Sequence, residues 1–429
     1  MTASDTHRAI DAVWRIESAR VIAGLTRIVR DVGQAEELAQ DALVAALEQW
    51  PETGVPRNPG AWLMAVGKRR AIDLIRRKER FDRKLDELGH DLAVDLEGAS
   101  DLDAAADDTI EDDLLRLVFI SCHPVLSTEA RVALTLRVLG GLRTDEIARA
   151  FLVSESTVGQ RIVRAKRTLA DARVPFEVPA GRERDARLSS VLEVIYLVFN
   201  EGYSATAGDD WLRPALCEEA LRLGRVLAEL MPKEPEVHGL VGLMEIQASR
   251  SAARVGPSGE PVLLLDQDRS RWDQMLIRRG LAALERAESL GAAPGPYRLQ
   301  AAIAACHARA RTADDTDWAQ IAALYESLAR VAPSPIVELN RAVAVGMAFG
   351  PATALELVDA LTGEPSLRGY HLLPSVRGDL LAKLHRFAEA RAEFERAASL
   401  TRNLRERTLL LERAAQAQAA AAVSSPHAT

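Results

Sequence analysis

Aromatic residues make up only 4% of this 429-residue chain, and it has just three cysteines. Cys122, Cys217 and Cys306 are too few and too scattered to form a disulfide framework. No uncharged apolar run reaches the roughly 18 residues that a membrane-spanning helix needs. The opening residues, MTASDTHRAIDAVWRIES, are polar and acidic and lack the basic-then-apolar layout of an export signal. A cytoplasmic location with no membrane partner is therefore expected. A Gly-rich phosphate loop, a nucleophile elbow and a paired-histidine metal helix are all missing. Cys122-His123 comes nearest to a reactive or metal-ligating pair. However, Cys122 sits in the apolar run LLRLVFISCHP, which Pro124 terminates, and no second cysteine is close, so it reads as a core cysteine. His238, His307, His371 and His385 stand singly on helical patterns. No catalytic residue, metal or cofactor is expected, and the chain does not read as an enzyme in its own right.

Apolar residues make up 48% of the chain, and alanine, leucine, arginine and glutamate abound, which points to an all-α protein. The length suggests about three domains. The overall charge is −8, yet one segment is strongly cationic. In residues 61–80, AWLMAVGKRRAIDLIRRKER, seven cations (Lys68, Arg69, Arg70, Arg76, Arg77, Lys78 and Arg80) face only Asp73 and Glu79. On one helix, beside Trp62, this pattern suits a surface that meets nucleic-acid phosphates. A solvated amphipathic helix would carry a similar pattern.

Residues 143–168, RTDEIARAFLVSESTVGQRIVRAKRT, read as a helix-turn-helix. Thr144 can cap a first helix, with Asp145 and Glu146 in its opening turn, where the helix dipole favours negative charge. Ser154 can cap a second helix, on which Val158, Ile162 and Ala165 recur at the spacing of an inner stripe. Ser156, Thr157, Gln160, Arg161, Arg164, Lys166 and Arg167 then point outward. Short polar groups near the helix N-terminus with arginines behind them suit a rod in the major groove, where the first can reach base edges and the second phosphates. The turn carries Leu152-Val153 in place of the glycine often found there. A plain helical hairpin is the competing reading.

Between these segments and before them the pattern alternates. QAEELAQDALVAALEQW reads as a helix with an apolar stripe of Leu38, Ala42, Ala45 and Ala46 and an acidic open face of Glu36, Glu37, Asp41 and Glu48. Residues 85–113 hold twelve acidic residues and no lysine or arginine. Such a stretch buries too little apolar surface to fold alone and reads as a flexible linker that its own charge keeps extended. Pro175 and Pro179 mark a further boundary. Beyond it, Trp318, Ile321, Tyr325, Leu328 and Pro333 have the spacing of a tetratricopeptide helix pair. Phe387, Ala390, Phe394 and Ala397 repeat that spacing, with a degenerate copy at Ala354, Val358 and Leu361. Leu284 and Ala287 close an irregular earlier unit. Stacked helix pairs of this kind form a solenoid whose groove can take a protein or peptide partner, and an unspecialised helical bundle with alanine-rich seams is the competing reading.

Taken in order, these pieces resemble a sigma-70-family initiation factor of the extracytoplasmic-function type. The resemblance covers about residues 10–172. It implies domains at 8–80 (region 2), 81–113 (acidic linker) and 114–175 (region 4), then a TPR-like regulatory domain at 186–415 and a disordered tail at 416–429. It also implies that Glu37, Gln40, Asp41, Leu43 and Glu48 meet the clamp helices of core RNA polymerase. GAWLMAVGKRRAIDLIRRKER is similar to the segment that melts promoter DNA. There Trp62 would belong to the core and edge, Lys68, Arg69 and Arg70 to a strand-capturing loop, and Arg76 and Arg77, with Asp73 between, to the duplex. Thr144, Ser154 and the outward residues of the second helix would read the upstream element, with the polymerase flap as partner. Two departures stand out: ELAQDAL replaces the usual DLVQE-like core, and SCHPVLS replaces the common LP before the second domain. The carboxy-terminal half resembles the helical extension of one subgroup, through LEVIYLVFNEGYSA and LLLDQDRSRWD. Asn200, Glu201 and Tyr203 of the first stretch, and Asp266, Asp268, Arg269, Arg271 and Trp272 of the second, are regulatory or interdomain candidates. They can equally be a helix stop at Gly202 and a locally paired helix start. Two other functional classes remain open: a conventional helix-turn-helix regulator with a TPR-type sensor, and an adaptor scaffold.

Overall fold

A computed structural model describes residues 3–86, 106–151, 153–204, 212–257 and 260–424. Eighteen α-helices and four short 3-10 turns make up the regular structure, with no named strand among the described residues. The chain divides into two compact units, Met1–Leu197 and Val198–Thr429.

The first unit opens with three long helices, α1 (Ala3–Val29), α2 (Val32–Thr53) and α3 (Pro59–Asp86), each packed on the other two. Asp31 caps α2 by accepting from the Gln34 amide at 2.8 Å. Ala35, Ala39, Ala42 and Ala46 are fully buried on its inner face, where small side chains let the helices approach closely. Leu25, Trp50 and Leu63 fill the space this leaves. A second group follows: α4 (Ala106–Ser121), α5 (Thr128–Val138), α6 (Thr144–Phe151) and α7 (Glu155–Asp171). α7 lays Val158, Ile162, Ala165 and Leu169 against α5 and α6, the stripe that its spacing predicts. Gly141 lies between α5 and α6 at a φ of 64°, a left-handed turn that favours glycine.

Several boundaries differ from the sequence-based expectation. The acidic stretch read as linker is helical at both ends, since α3 runs to Asp86 and α4 begins at Ala106; the rest of it lies outside the described residues. Asp113 is buried and pairs with Arg27 of α1 at 3.1 Å and with Arg116 at 2.6 Å, so arginines outside the acidic run supply the compensation it lacks. Pro175 and Pro179 do not separate the units. The next helix, α8 (Gly181–Tyr203), has its first turns tied to the first unit: Ser190 donates to the Cys122 carbonyl at 2.6 Å, and Arg131 pairs with Glu193 at 3.0 Å. The boundary falls inside α8, at Leu197.

The second unit continues with α9 (Pro214–Leu230), α10 (Pro235–Ala248), α11 (Gln274–Ser289) and α12 (Pro296–Arg309). Then come α13 (Trp318–Val331), α14 (Pro335–Phe349), α15 (Pro351–Leu361), α16 (Leu372–Lys383), α17 (Phe387–Leu400) and α18 (Leu404–Ser424), each packed on the next. α13, α15 and α17 start 33 and 36 residues apart. Their repeat positions Ile321, Leu328, Ala354, Val358, Ala390, Phe394 and Ala397 are buried, and so are Leu284 and Ala287. The expected disordered tail is corrected. α18 runs through Ser424, because its alanines favour helix and Ala414 and Ala417 bury against the α16–α17 core; only residues 425–429 lie outside the described residues.

Gly202 is also reassigned. The helix does not stop there but continues to Tyr203, and a Cβ on Gly202 would lie 2.6 Å from the Cys217 amide nitrogen of α9. The glycine permits that close crossing. Replacing Gly202 with alanine is therefore expected to cost about 1–3 kcal/mol through overpacking against backbone, measured as a lower denaturation midpoint of the full-length protein.

Candidate nucleic-acid interface

Two surfaces carry the cationic side chains. On α3, Arg69, Asp73, Arg76 and Arg77 are exposed, and Lys68 and Arg70 are half-buried. Leu63 and Ala71 anchor the opposite face, so the basic ridge follows from a helix that buries only one stripe. Trp62 is half-buried, edge-on to Trp50 with ring centroids 5.2 Å apart, and holds the start of the ridge to α2. Lys68, Arg69 and Arg70 lie within this continuous helix and not in a loop, because nothing between Pro59 and Asp86 interrupts it. Arg70 pairs with Asp41 of α2 at 3.0 Å, which couples a DNA-side candidate to a polymerase-side candidate.

The second surface is α7. Ser154 caps it, accepting from the Thr157 amide at 3.1 Å. Ser156, Gln160, Arg164 and Arg167 are exposed along the rod, and Thr157 and Arg161 are half-buried. Thr144 opens α6 as its first helical residue and is not the cap. The Glu146 carboxylate instead accepts from the Arg143 amide at 2.8 Å, the reaching-back half of a capping box. On α2, Glu37, Asp41 and Glu48 are exposed on one ridge, with Gln40 and Leu43 half-buried beside it.

Glu36 alone departs from the expected open acidic face of α2. Its side chain is only 3% exposed, and it meets Arg137 of α5 at 2.6 Å and Lys166 of α7 at 2.5 Å. Gln40 donates to the same carboxylate. Lys166 is thus directed at Glu36, away from the outward set to which its helical position assigned it. The two predicted modules are in contact through this triad, and through Arg15 of α1 and Glu146 of α6 at 3.2 Å. Neither Glu36 nor Arg137 announces this pairing locally, since they are 101 residues apart. Burial pushes the Glu36 carboxyl up, but Lys166 and Arg137 pull harder, and its pKa ends below the ordinary 4.5.

Beside this contact lies a cleft of about 530 Å³ lined by Arg27, Arg30, Arg116, Lys166 and Arg173, with Asp31 as its acidic residue. Cys122 is buried near Thr135, and burial raises its thiol pKa to about 11, which leaves it a thiol at neutral pH. The described residues contain no group of three or more metal-ligating side chains, and no helix among them is long and apolar enough to cross a membrane.

Comparison with known proteins finds two family matches in the first unit. Residues 15–81 match the family model of sigma-70 region 2, and residues 116–169 that of sigma-70 region 4. Residues 187–288 match a family of unknown function, DUF6596. The chain belongs to the sigma-70 family of transcription initiation factors, a family of non-catalytic polymerase subunits. Within that family it is of the extracytoplasmic-function (ECF) type, with a helical C-terminal extension. An uncharacterized protein of Rhizobium meliloti (strain 1021) is 45% identical over 395 residues, 90% of both chains. A probable ECF RNA polymerase sigma factor, SigI of Mycobacterium tuberculosis, is 28% identical over 180 residues, 42% of this chain and 60% of that one. The ECF RNA polymerase sigma factor SigK of Mycobacterium ulcerans is 30% identical over 154 residues, 35% of this chain and 78% of the relative. No solved structure matches.

Removing one member of a buried charge cluster strands the others. Glu36→Ala is therefore expected to destabilise the first unit by about 3 kcal/mol, at the low end for buried pairs because Arg137 and Lys166 keep some access to water. Because the folded-state pKa of Glu36 is depressed, its contribution is fully present above pH 4.5 and is lost as the pH falls through the folded value. Urea titrations of the wild type and of Glu36→Gln should thus converge as the pH is lowered below 4.5.

Proposed function

We propose that this chain binds core RNA polymerase through the α2 ridge of Glu37, Asp41 and Glu48, with Gln40 and Leu43 beside it, and directs promoter recognition through α3 and α7. In this reading α3 grips separated strands with Lys68, Arg69, Arg76 and Arg77, while α7 reads the upstream duplex with Ser156, Thr157 and Gln160 and holds phosphates with Arg161, Arg164 and Arg167. The observation that carries it is the presence of two exposed cationic helices in one chain whose net charge is −8. A regulator that only binds an operator has no use for the α3 ridge. An acidic ridge suits a basic partner surface, here the clamp helices, and the flap of the polymerase is the partner for the second module. Its working place is then the cytoplasm.

The Glu36 triad makes the described arrangement a closed form. Lys166 can reach a phosphate only by leaving Glu36, so in this reading its use on DNA would require the α2–α7 contact to open. The carboxy-terminal helical repeats set the activity of the initiation modules, and their stacked face offers a groove for a protein or peptide partner.

In vitro transcription with core polymerase tests the reading, and failure to yield any promoter-specific transcript would overturn it. Replacing Lys68, Arg69 and Arg76 with alanine should abolish open-complex formation. It should also flatten the dependence of log K on log salt by about 2, the loss of three phosphate contacts to single-stranded DNA. Truncation after α8 should change reporter output in vivo, and output equal to that of the full chain would remove the regulatory role.

A further inference from the structure

The two motifs of the second unit that stood out in sequence, NEGY and DQDRSRWD, converge on an arginine that belongs to neither. Arg250 follows the end of α10 and is only 8% exposed. Its guanidinium lies 5.8 Å from the ring centre of Tyr203 and 5.9 Å from that of Trp272. Tyr203 is in turn covered by Arg254 at 3.8 Å and stacked on Phe199 at 5.6 Å. Arg269 lies 4.8 Å over Trp272. Three guanidiniums thus gather around two aromatic rings, and among the described residues no carboxylate pairs with Arg250.

The neighbouring arginine is accounted for otherwise. Arg269 donates to the carbonyls of His307 and Ala310 at 2.6 and 2.8 Å and to the Thr316 hydroxyl at 3.1 Å, so it braces α12 and the turn after it. Asp268 and Asp273 are occupied as caps, of the 3-10 turn at Arg269–Arg271 and of α11 respectively. Asp266 and Arg271 are exposed, and Glu201 pairs with Arg213. Arg250 has no such duty. Its Nε is buried without a hydrogen-bond partner, and so are Trp272 Nε1 and His307 Nδ1. Burial, then Arg250 and Arg269, push the His307 pKa down to about 4, so this ring is neutral at physiological pH. An arginine cannot shed its charge, and an uncompensated buried guanidinium is disfavoured unless something anionic meets it.

We propose that Arg250, Tyr203 and Trp272 form a binding site for the oxyanion group, carboxylate or phosphate, of a small molecule. Arg250 supplies the paired N–H donors that match such a group, and the rings of Tyr203 and Trp272 hold the guanidinium plane in place. The site lies wholly within the second unit and stands whether or not the chain initiates transcription.

Calorimetric titration of the full-length protein, in buffer free of oxyanions, tests this with two probes, inorganic phosphate and sodium benzoate. Binding of phosphate alone assigns a phosphate-bearing ligand, and binding of benzoate alone assigns a carboxylate on an aromatic body. Arg250→Met should weaken whichever binds at least tenfold, and Trp272→Phe should weaken it several-fold. Without ligand, Arg250→Met should melt at or above the wild-type temperature, since it removes an uncompensated buried charge. Three results would each overturn the proposal: no heat with either probe, unchanged binding by Arg250→Met, or unfolding of that variant, which would mean that the chain's own groups hold the arginine.

Discussion

A single carboxylate, withdrawn from water where α2, α5 and α7 meet, joins the two helix groups of the first half of this molecule. Glu36 brings one negative charge to two positive ones: Arg137, which shares its Oε1 with Gln40, and Lys166, which meets its Oε2. Such a cluster is tolerated only while all its members are present, because a lone charge left in a dry contact has no solvent to fall back on. That requirement specifies how the two groups of helices lie against each other more strictly than apolar contact would. It also gives the contact a means of release. A surface offering carboxylates or phosphates in water competes for Lys166 and Arg137 directly, and once one cation leaves, Glu36 has reason to solvate.

The same economy governs the faces left open. α3 and α7 each bury one stripe, leaving their cations on the far side. Trp62 edges against Trp50 and so fixes the start of the α3 ridge to the neighbouring helix. Ser154 accepts from the Thr157 amide and also meets the hydroxyls of Ser156 and Thr157, so the opening turn of α7 is tied together by its own polar groups. Pairing between Arg70 and Asp41 places the expected polymerase side and the expected DNA side one ion pair apart.

The second unit is built on a different plan, in which successive helices pack on one another and α12 also packs closely on α10. Charged residues inside it are mostly consumed by structure, as carbonyl braces, caps or ion pairs. Arg250 is conspicuous because it is buried without any of these roles, next to two rings that orient it. The matching domain family, of unknown function, covers residues 187–288 and includes Tyr203, Arg250 and Trp272, but stops before His307.

Much of this molecule is legible in one dimension. Helical periodicity alone marks α2, α3 and α7, the Ser154 cap and the 33- and 36-residue spacing of the repeats, because those features depend on residues within a turn or two of each other. The inner stripe of α7 is buried as its spacing requires, as are Ile321, Leu328, Ala354, Val358, Ala390, Phe394 and Ala397 of the repeats, while Trp318, Tyr325, Leu361 and Phe387 are half-buried. Charge pairing across the fold escapes such reading. Glu36 looks like one more exposed acid beside Glu37, and Lys166 like one more outward cation, until helices 101 and 130 residues further on are brought beside α2. Gly202 resembles a helix stop until α9 is seen crossing it, and Arg250 is one arginine among many until its lack of a partner is visible. Sequence by itself determined the helices with a clear apolar stripe, such as α2, α3 and α7, but not the helical ends of the acidic stretch or of the tail. Tertiary structure alone decided which charges meet, because Coulombic pairing and desolvation depend on distance through space and not on separation along the chain.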